Sequence, residues 1–118
     1  MSQEDKRSSK RIKRTFVMRV ALDDGNPWPR WSLVTTHDFS AGGALFTVDQ
    51  PLVEGQALLC KIHFVARQID CKAKVIRLSP VFQKPLSQAA VAFEWSDEKD
   101  RHYVEDFAKH YVHKNRED

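Results

Sequence analysis

Hydrophobic and polar residues alternate through most of the first 95 positions. Phe16, Met18, Val20 and Leu22 fall at every second position with Val17, Arg19 and Ala21 between them, the period of a half-buried strand. Residues 31–36 and 43–48 read as a second and a third strand. Leu58, Cys60, Ile62 and Phe64 line one face of a fourth. Ile69, Cys71, Ala73 and Val75 do the same on a fifth, with Lys72 and Lys74 facing out, and Ala89, Val91, Phe93 and Trp95 make a sixth. The connections GNPWPRW (25–31), DQPLVEG (49–55) and SPVFQKPLS (79–87) carry the Gly and Pro that suit bends and not ladders. Six short strands with tight connections predict a mainly β fold, a six-stranded antiparallel β-barrel whose closure removes exposed edges.

The period changes at Ser96, which reads as the N-cap of a C-terminal α-helix with Asp97 and Glu98 in its first turn. Tyr103, Val104, Phe107, Ala108, Tyr111 and Val112 recur at helical spacing along one stripe. That stripe predicts a lid over one end of the barrel, with a partner-binding helix as the alternative.

At 118 residues the chain is long enough for one domain with its own core. Its net charge of +3 is unevenly spread: residues 1–20 carry seven basic side chains against two acidic ones, and the other 98 residues are net −2. The expected organisation is a flexible basic arm over residues 1–14 and one barrel domain over 15–118. By charge alone the arm reads equally as a solvated tail or as an anion-binding segment. No apolar run approaches the ~18 residues needed to cross a bilayer, and MSQEDKRSSKRIKR lacks the apolar centre of a secretion signal, so the expectation is a cytoplasmic protein without membrane insertion. Cys60 and Cys71 have no metal-type spacing and fall inside apolar strands, which predicts buried, reduced thiols.

Catalytic chemistry has little support. The five histidines are scattered, and the nearest pair, His110 and His113, supplies two ligands with no third at ligand spacing, so no metal and no cofactor are expected. Nucleophile elbow, phosphate loop and zinc-protease motifs are all missing, and the chain reads as a non-enzyme.

Two motifs remain. Asp38-Phe-Ser40-Ala-Gly42-Gly43 fits D-x-S-x-x-G between the second and third strands, and Arg7-Ser-Ser-Lys10-Arg11 upstream fits R-x-x-x-R. In this order, ahead of six strands and a helix, the pair resembles the PilZ family of bacterial cyclic di-GMP receptors. The resemblance covers nearly the whole chain, including the VAFEW strand and the final helix. It implies cyclic di-GMP as the ligand, a downstream protein partner of unstated identity, and Arg7, Arg11, Asp38, Ser40 and Gly43 as the ligand-binding residues. Lys10 and Arg14 offer a second register for the arginine motif, and Gly42 and Arg77 are weaker candidates.

The residue types suit that ligand. An arginine fork pairs with phosphate oxygens or with guanine O6 and N7. An ionised Asp38 only accepts, which matches the N1–H and N2–H donors of guanine. Ser40 either orients the loop or donates to a phosphate, and Gly43 permits unusual torsions or a close approach. The plainer reading of the loop is an Asx or ST turn capping a bulged hairpin. Among the tryptophans, Trp31 and Trp95 read as core and Trp28 as a loop anchor, with base stacking as the alternative for Trp28 and Trp31. Two other functions stay open: a PilZ-like protein adaptor without nucleotide, and a barrel for single-stranded nucleic acid. The acidic balance beyond the arm disfavours the second, because a nucleic-acid groove is basic.

Overall fold

A computed structural model describes the backbone of residues 16–64, 66–81 and 84–116, and side chains between 17 and 110. The expected arm of residues 1–14, with Arg7, Lys10, Arg11 and Arg14, lies outside the described residues, as do the side chains of Tyr111, Val112 and His113. Six strands run as β1 (Phe16–Leu22), β2 (Ser32–Phe39), β3 (Gly43–Val48), β4 (Ala57–His63), β5 (Gln68–Pro80) and β6 (Ser87–Glu94), followed by α1 (Glu98–Arg116). Every pairing is antiparallel, and the order β1-β2-β3-β6-β5-β4 closes on itself through β1 and β4. The six-stranded antiparallel barrel expected from the alternation is the fold.

Alternation decides what is inside. Met18 and Val20, Phe46 and Val48, Leu58, Cys60 and Ile62, Ile69 through Val75 at every second position, and Ala89, Val91 and Phe93 fill the barrel. The residues between them face out, apart from Ala21, which is fully buried. The register puts Val20 opposite Ser32, so Trp31 lies beside Ala21 on the outer surface, and its ring sits under Lys61 Nζ at 4.8 Å. Trp31 therefore covers the outside of β1; it is not an interior residue as expected. Trp28 is 82% exposed and anchors nothing, against the expectation.

Two strands run longer than the pattern predicts, because each contains a bulge. β2 continues past Thr36 to Phe39, with a register shift between Thr36 and Asp38; β5 continues to Pro80, with a shift between Val75 and Arg77. An extra residue reverses the alternation and makes a strand look finished in sequence. The fourth strand ends at His63, yet Phe64 is buried just beyond it.

The helix is capped by Asp97 and not by Ser96: Asp97 Oδ1 accepts the Lys99 N–H at 2.9 Å, and the Asp97 carbonyl accepts from Asp100 and Arg101. Val104 and Ala108 are buried, and Tyr103 and Phe107 pack on the core. Edge-to-face rings run from Phe93 to Phe39 at 5.7 Å, from Phe39 to Phe64 at 6.4 Å, and from Phe64 to Tyr103 and Phe107 at 5.2 and 4.9 Å. Such pairs contribute about 0.5–1.5 kcal/mol each beyond area burial. The helix closes the barrel end that holds Phe39 and the β2–β3 turn. Arg67 fastens it further, donating to Asp100 at 3.0 Å and lying 4.8 Å over the Tyr103 ring.

Cys60 and Cys71 are buried free thiols, directly opposite one another on β4 and β5. A hydrogen bond with Cys60, burial, and then the carboxylates of Asp70 and Asp100 push the Cys71 thiol well above its ordinary value. Among the described residues no helix is long and apolar enough to cross a membrane.

Candidate functional site

The β2–β3 connection is a two-residue turn. Ser40 N–H donates to the Gly43 carbonyl at 2.9 Å and Gly43 N–H to the Ser40 carbonyl at 3.3 Å, leaving Ala41 and Gly42 at the tip. Ser40 Oγ accepts the Gly42 N–H at 3.1 Å, so the hydroxyl shapes the turn from a nearly buried position. The tip is tied to the other side of the barrel: the Ala41 carbonyl accepts Trp95 Nε1–H at 2.7 Å, and the Gly42 carbonyl accepts the Phe93 N–H at 3.0 Å. Trp95, expected in the core, is half-buried and serves as this strut.

Gly43 is required by space. A Cβ built there would stand 2.1 Å from the Val91 carbonyl oxygen, so only glycine lets β3 approach β6 this closely. Its φ is not in the left-handed region, where, of the glycines, Gly25 and Gly55 lie.

Asp38 owes its direction to the bulge. Thr36 points into the barrel, and strict alternation would send Asp38 in after it. The extra residue, His37, has no partner of its own on β3, so Phe39 turns inward and Asp38 stands half-buried on the outer face. His37 is held beside it by a 2.7 Å hydrogen bond between its Nε2 and Thr47 Oγ1.

The registers extend this face across three more strands. Asp38 is opposite Leu45, Leu45 opposite Ala90, and Ala90 opposite Arg77; on the next row Gly43 is opposite Ala92, and Ala92 opposite Lys74. The result is a shallow floor of Gly43, Leu45, Ala90 and Ala92. Asp38 and His37 border it on the β2 side, and Lys74 and Arg77, both exposed, on the β5 side. Small residues leave the floor open to a flat ligand, with a carboxylate at one edge and two cations at the other. Sequence reasoning missed Lys74 as a candidate, because only the cross-strand register brings it to this face.

The structure thus brings Asp38, Ser40, Gly42, Gly43 and Arg77 to one barrel surface. β1 begins at Phe16 opposite Thr36, two residues short of Asp38, so the segment carrying Arg7, Lys10, Arg11 and Arg14 joins the barrel at this end of β2. A cavity of about 470 Å³ bordered by Leu59, Lys72, Glu94 and Trp95 adjoins this face, Lys72 and Glu94 being the cross-strand pair beyond Lys74 and Ala92. One of about 450 Å³ bordered by Leu22, Asp24, Arg30 and Asp49 lies at the opposite barrel end. No group of three or more His, Cys, Asp or Glu among the described residues suits a metal ion.

Comparison with known proteins adds the lineage. None of the curated proteins matches the chain. Of solved structures, the Bacillus subtilis inhibitor of motility MotI/DgrA superposes with a TM-score of 0.77 at 14% identity, over 94% of this chain and 53% of that one. Escherichia coli YcgR in complex with c-di-GMP gives 0.70 at 15% identity, over 95% of this chain and 48% of that one. The PilZ domain of YcgR with c-di-GMP gives 0.68 at 16% identity, over 95% of each chain. The chain therefore spans about half the length of MotI/DgrA and of YcgR, and these likenesses carry the fold. The family model of the PilZ domain matches residues 5–109, through all six strands and into the helix. The chain belongs to the PilZ domain family.

Proposed function

We propose that this chain is a receptor domain for cyclic di-GMP, and that binding orders its N-terminal arm and so changes the surface offered to a protein partner. The observation that carries the reading is the outward turn of Asp38 at the His37 bulge, beside the Ser40–Gly43 turn, over a floor bordered by Lys74 and Arg77. Membership in the PilZ family and the c-di-GMP complexes of YcgR support it.

Each residue then has a task. Asp38 accepts from the guanine N1–H and N2–H. Leu45, Ala90 and Ala92 lie beneath the flat faces of the ligand. Arg77 and Lys74 attract the phosphates from the β5 side. Arg7 and Arg11 close over the ligand from the arm, pairing with phosphate or with the O6/N7 edge. Reach is sufficient, since the five residues from Arg11 to Phe16 span up to ~17 Å of chain. Ser40 and Gly43 act through the backbone, one fixing the turn and the other letting β3 sit against β6. The domain is a receptor and not an enzyme in this reading.

Calorimetric titration with cyclic di-GMP and cyclic di-AMP tests it. Adenine offers a donor where guanine has O6 and lacks the N1 and N2 donors. Two mismatched edges at about 1–3 kcal/mol each predict at least a roughly hundredfold preference for cyclic di-GMP. Asp38→Ala should narrow that preference more than it weakens overall attraction. Equal affinity for both nucleotides removes the base-reading roles, and no binding of either leaves the nucleotide-free adaptor as the function.

A further inference from the structure

The β1–β2 loop sits at the barrel end away from the Asp38 turn, and nothing in the nucleotide reading uses it. Its build is unusual for a connection that merely turns the chain. Asp24 Oδ1 accepts the Asn26 N–H at 3.1 Å, and Asn26 Oδ1 accepts the Trp28 N–H at 2.9 Å, two successive Asx turns. Pro27 and Pro29 fix φ on either side of Trp28. Trp31 fastens the loop's end to the outer face of β1 beneath Lys61. A stiff, doubly anchored loop thus holds one large apolar side chain in water: Trp28 is 82% exposed.

Trp28 has company. Leu33 at the start of β2 is 65% exposed and Val53 in the β3–β4 loop 64%. Between the two loops lies a cavity of about 450 Å³, lined by Leu22, Pro29 and Pro51 together with the polar Asp24, Arg30 and Asp49. Tryptophan is over-represented among residues that dominate protein interfaces, and a side chain already fixed by its loop loses little freedom on binding.

Charge selects the occupant. The three loops at this end, 23–31, 49–56 and 81–86, carry Asp24, Asp49 and Glu54 against Arg30 and Lys84, with Asp23 paired to Lys72 at 3.5 Å. An acidic surface is repelled by an anionic lipid headgroup layer, and by the same end of a second copy in a two-fold dimer. It complements a basic rim.

We infer that this loop end is a docking surface for a second protein, with Trp28 inserting into an apolar pocket whose rim is basic. The Trp28 side of this surface stands some six residues, or about 20 Å, from Asp38 along β2, while on the β5 side Glu54 accepts the Leu78 N–H, beside Arg77, at 3.4 Å.

The test places a photo-crosslinking benzophenone amino acid at position 28 and, as a control, at exposed Lys109, in the cells of origin. The partner cross-linked is then purified and titrated directly with the protein. Expected are one chain cross-linked from position 28 and not from 109, and an affinity that falls with added salt. Trp28→Ala should lower that affinity at least tenfold and Trp28→Phe less, with cyclic di-GMP affinity unchanged in both. No cross-link above control, or equal affinity of Trp28→Ala for the cross-linked protein, overturns the inference. So does a Trp28-dependent shift to dimer in sedimentation, Trp28-dependent binding to phosphatidylglycerol vesicles, or loss of cyclic di-GMP affinity in Trp28→Ala, which would make Trp28 a base-stacking residue.

Discussion

Asp38 and Arg77 stand at opposite ends of one cross-strand row, and each directly follows a bulged residue, His37 on β2 and Ile76 on β5. Three strand steps of about 4.8 Å separate them, roughly 14 Å across the face. Without the two extra residues both side chains would follow Thr36 and Val75 into the barrel. An anionic and a cationic group are thereby brought out on the same row by the same device. If the ligand spans that row, Arg77→Ala should weaken cyclic di-GMP binding by roughly 1.5–3 kcal/mol, the range for a hydrogen bond to a charged group. Arg77→Lys keeps the charge without the fork and should fall between. Since Arg77 is exposed, thermal stability should hold in both. Wild-type affinity in Arg77→Ala would confine the ligand to the β2–β3 side.

The arm carries the second prediction. Arg7→Ala and Arg11→Ala should each cost a similar amount of binding and leave the unfolding midpoint unchanged, because both precede the first strand. Amide exchange across residues 6–14 should slow when cyclic di-GMP is added. If Lys10→Ala and Arg14→Ala do the damage instead, the motif is read in the other register. Equal exchange with and without nucleotide takes away the arm's part as a switch.

Gly43→Ala tests the close approach of β3 to β6. A methyl group 2.1 Å from the Val91 carbonyl oxygen forces the strands apart. Overpacking of this kind costs about 1–3 kcal/mol, so the urea midpoint should drop accordingly. Nucleotide affinity should fall with it, since the turn and the floor both move. An unchanged midpoint would show that the strand pair yields freely.

Cys71 gives the protein a weakness in alkali. Its folded-state ionisation is pushed above the ordinary 9.0 by the Cys60 hydrogen bond and by burial, while the unfolded thiol titrates normally. The folded state thus holds the proton more tightly. That contribution to stability is complete below the ordinary value and is lost progressively as pH rises above it towards the raised folded value, by at most ~1.4 kcal/mol per pH unit. Urea midpoints between about pH 8 and about pH 10 should fall more steeply for the wild type than for Cys71→Ala. Parallel slopes would show that Cys71 ionises as readily folded as unfolded.

Most of the barrel was legible in the chain because β1, β4 and the first half of β5 alternate without interruption. Legibility stopped where the backbone adds a residue. At His37 and Ile76 two consecutive side chains face out, which in sequence resembles a strand end, so β2 and β5 were read as stopping at Thr36 and Val75. The turn motif was visible as residue types, yet its mechanics were not. Ser40 bonds to the backbone two residues on, and Gly43 is demanded by a strand 48 residues downstream. Lys74 carried no local signal at all. In sequence Trp28 reads as a loop anchor and Trp31 as core, and only the packing of Trp31 on the outside of β1 shows which of the two faces water.

The strand order has a consequence for how the protein comes into being. β3 pairs with β2 on one side and finds its other neighbour only in β6, so the floor beside Asp38 is assembled from residues 43–48 and 87–94, with two strands made in between. On the ribosome β2 and β3 emerge well before the β6 half of that floor. Until the sixth strand arrives, β3 and β5 each present an open edge, and such non-local pairings form slowly. The nascent chain therefore passes its most aggregation-exposed interval before this face is complete, and the seam between β3 and β6, where Gly43 meets Val91, is the join that ends that interval.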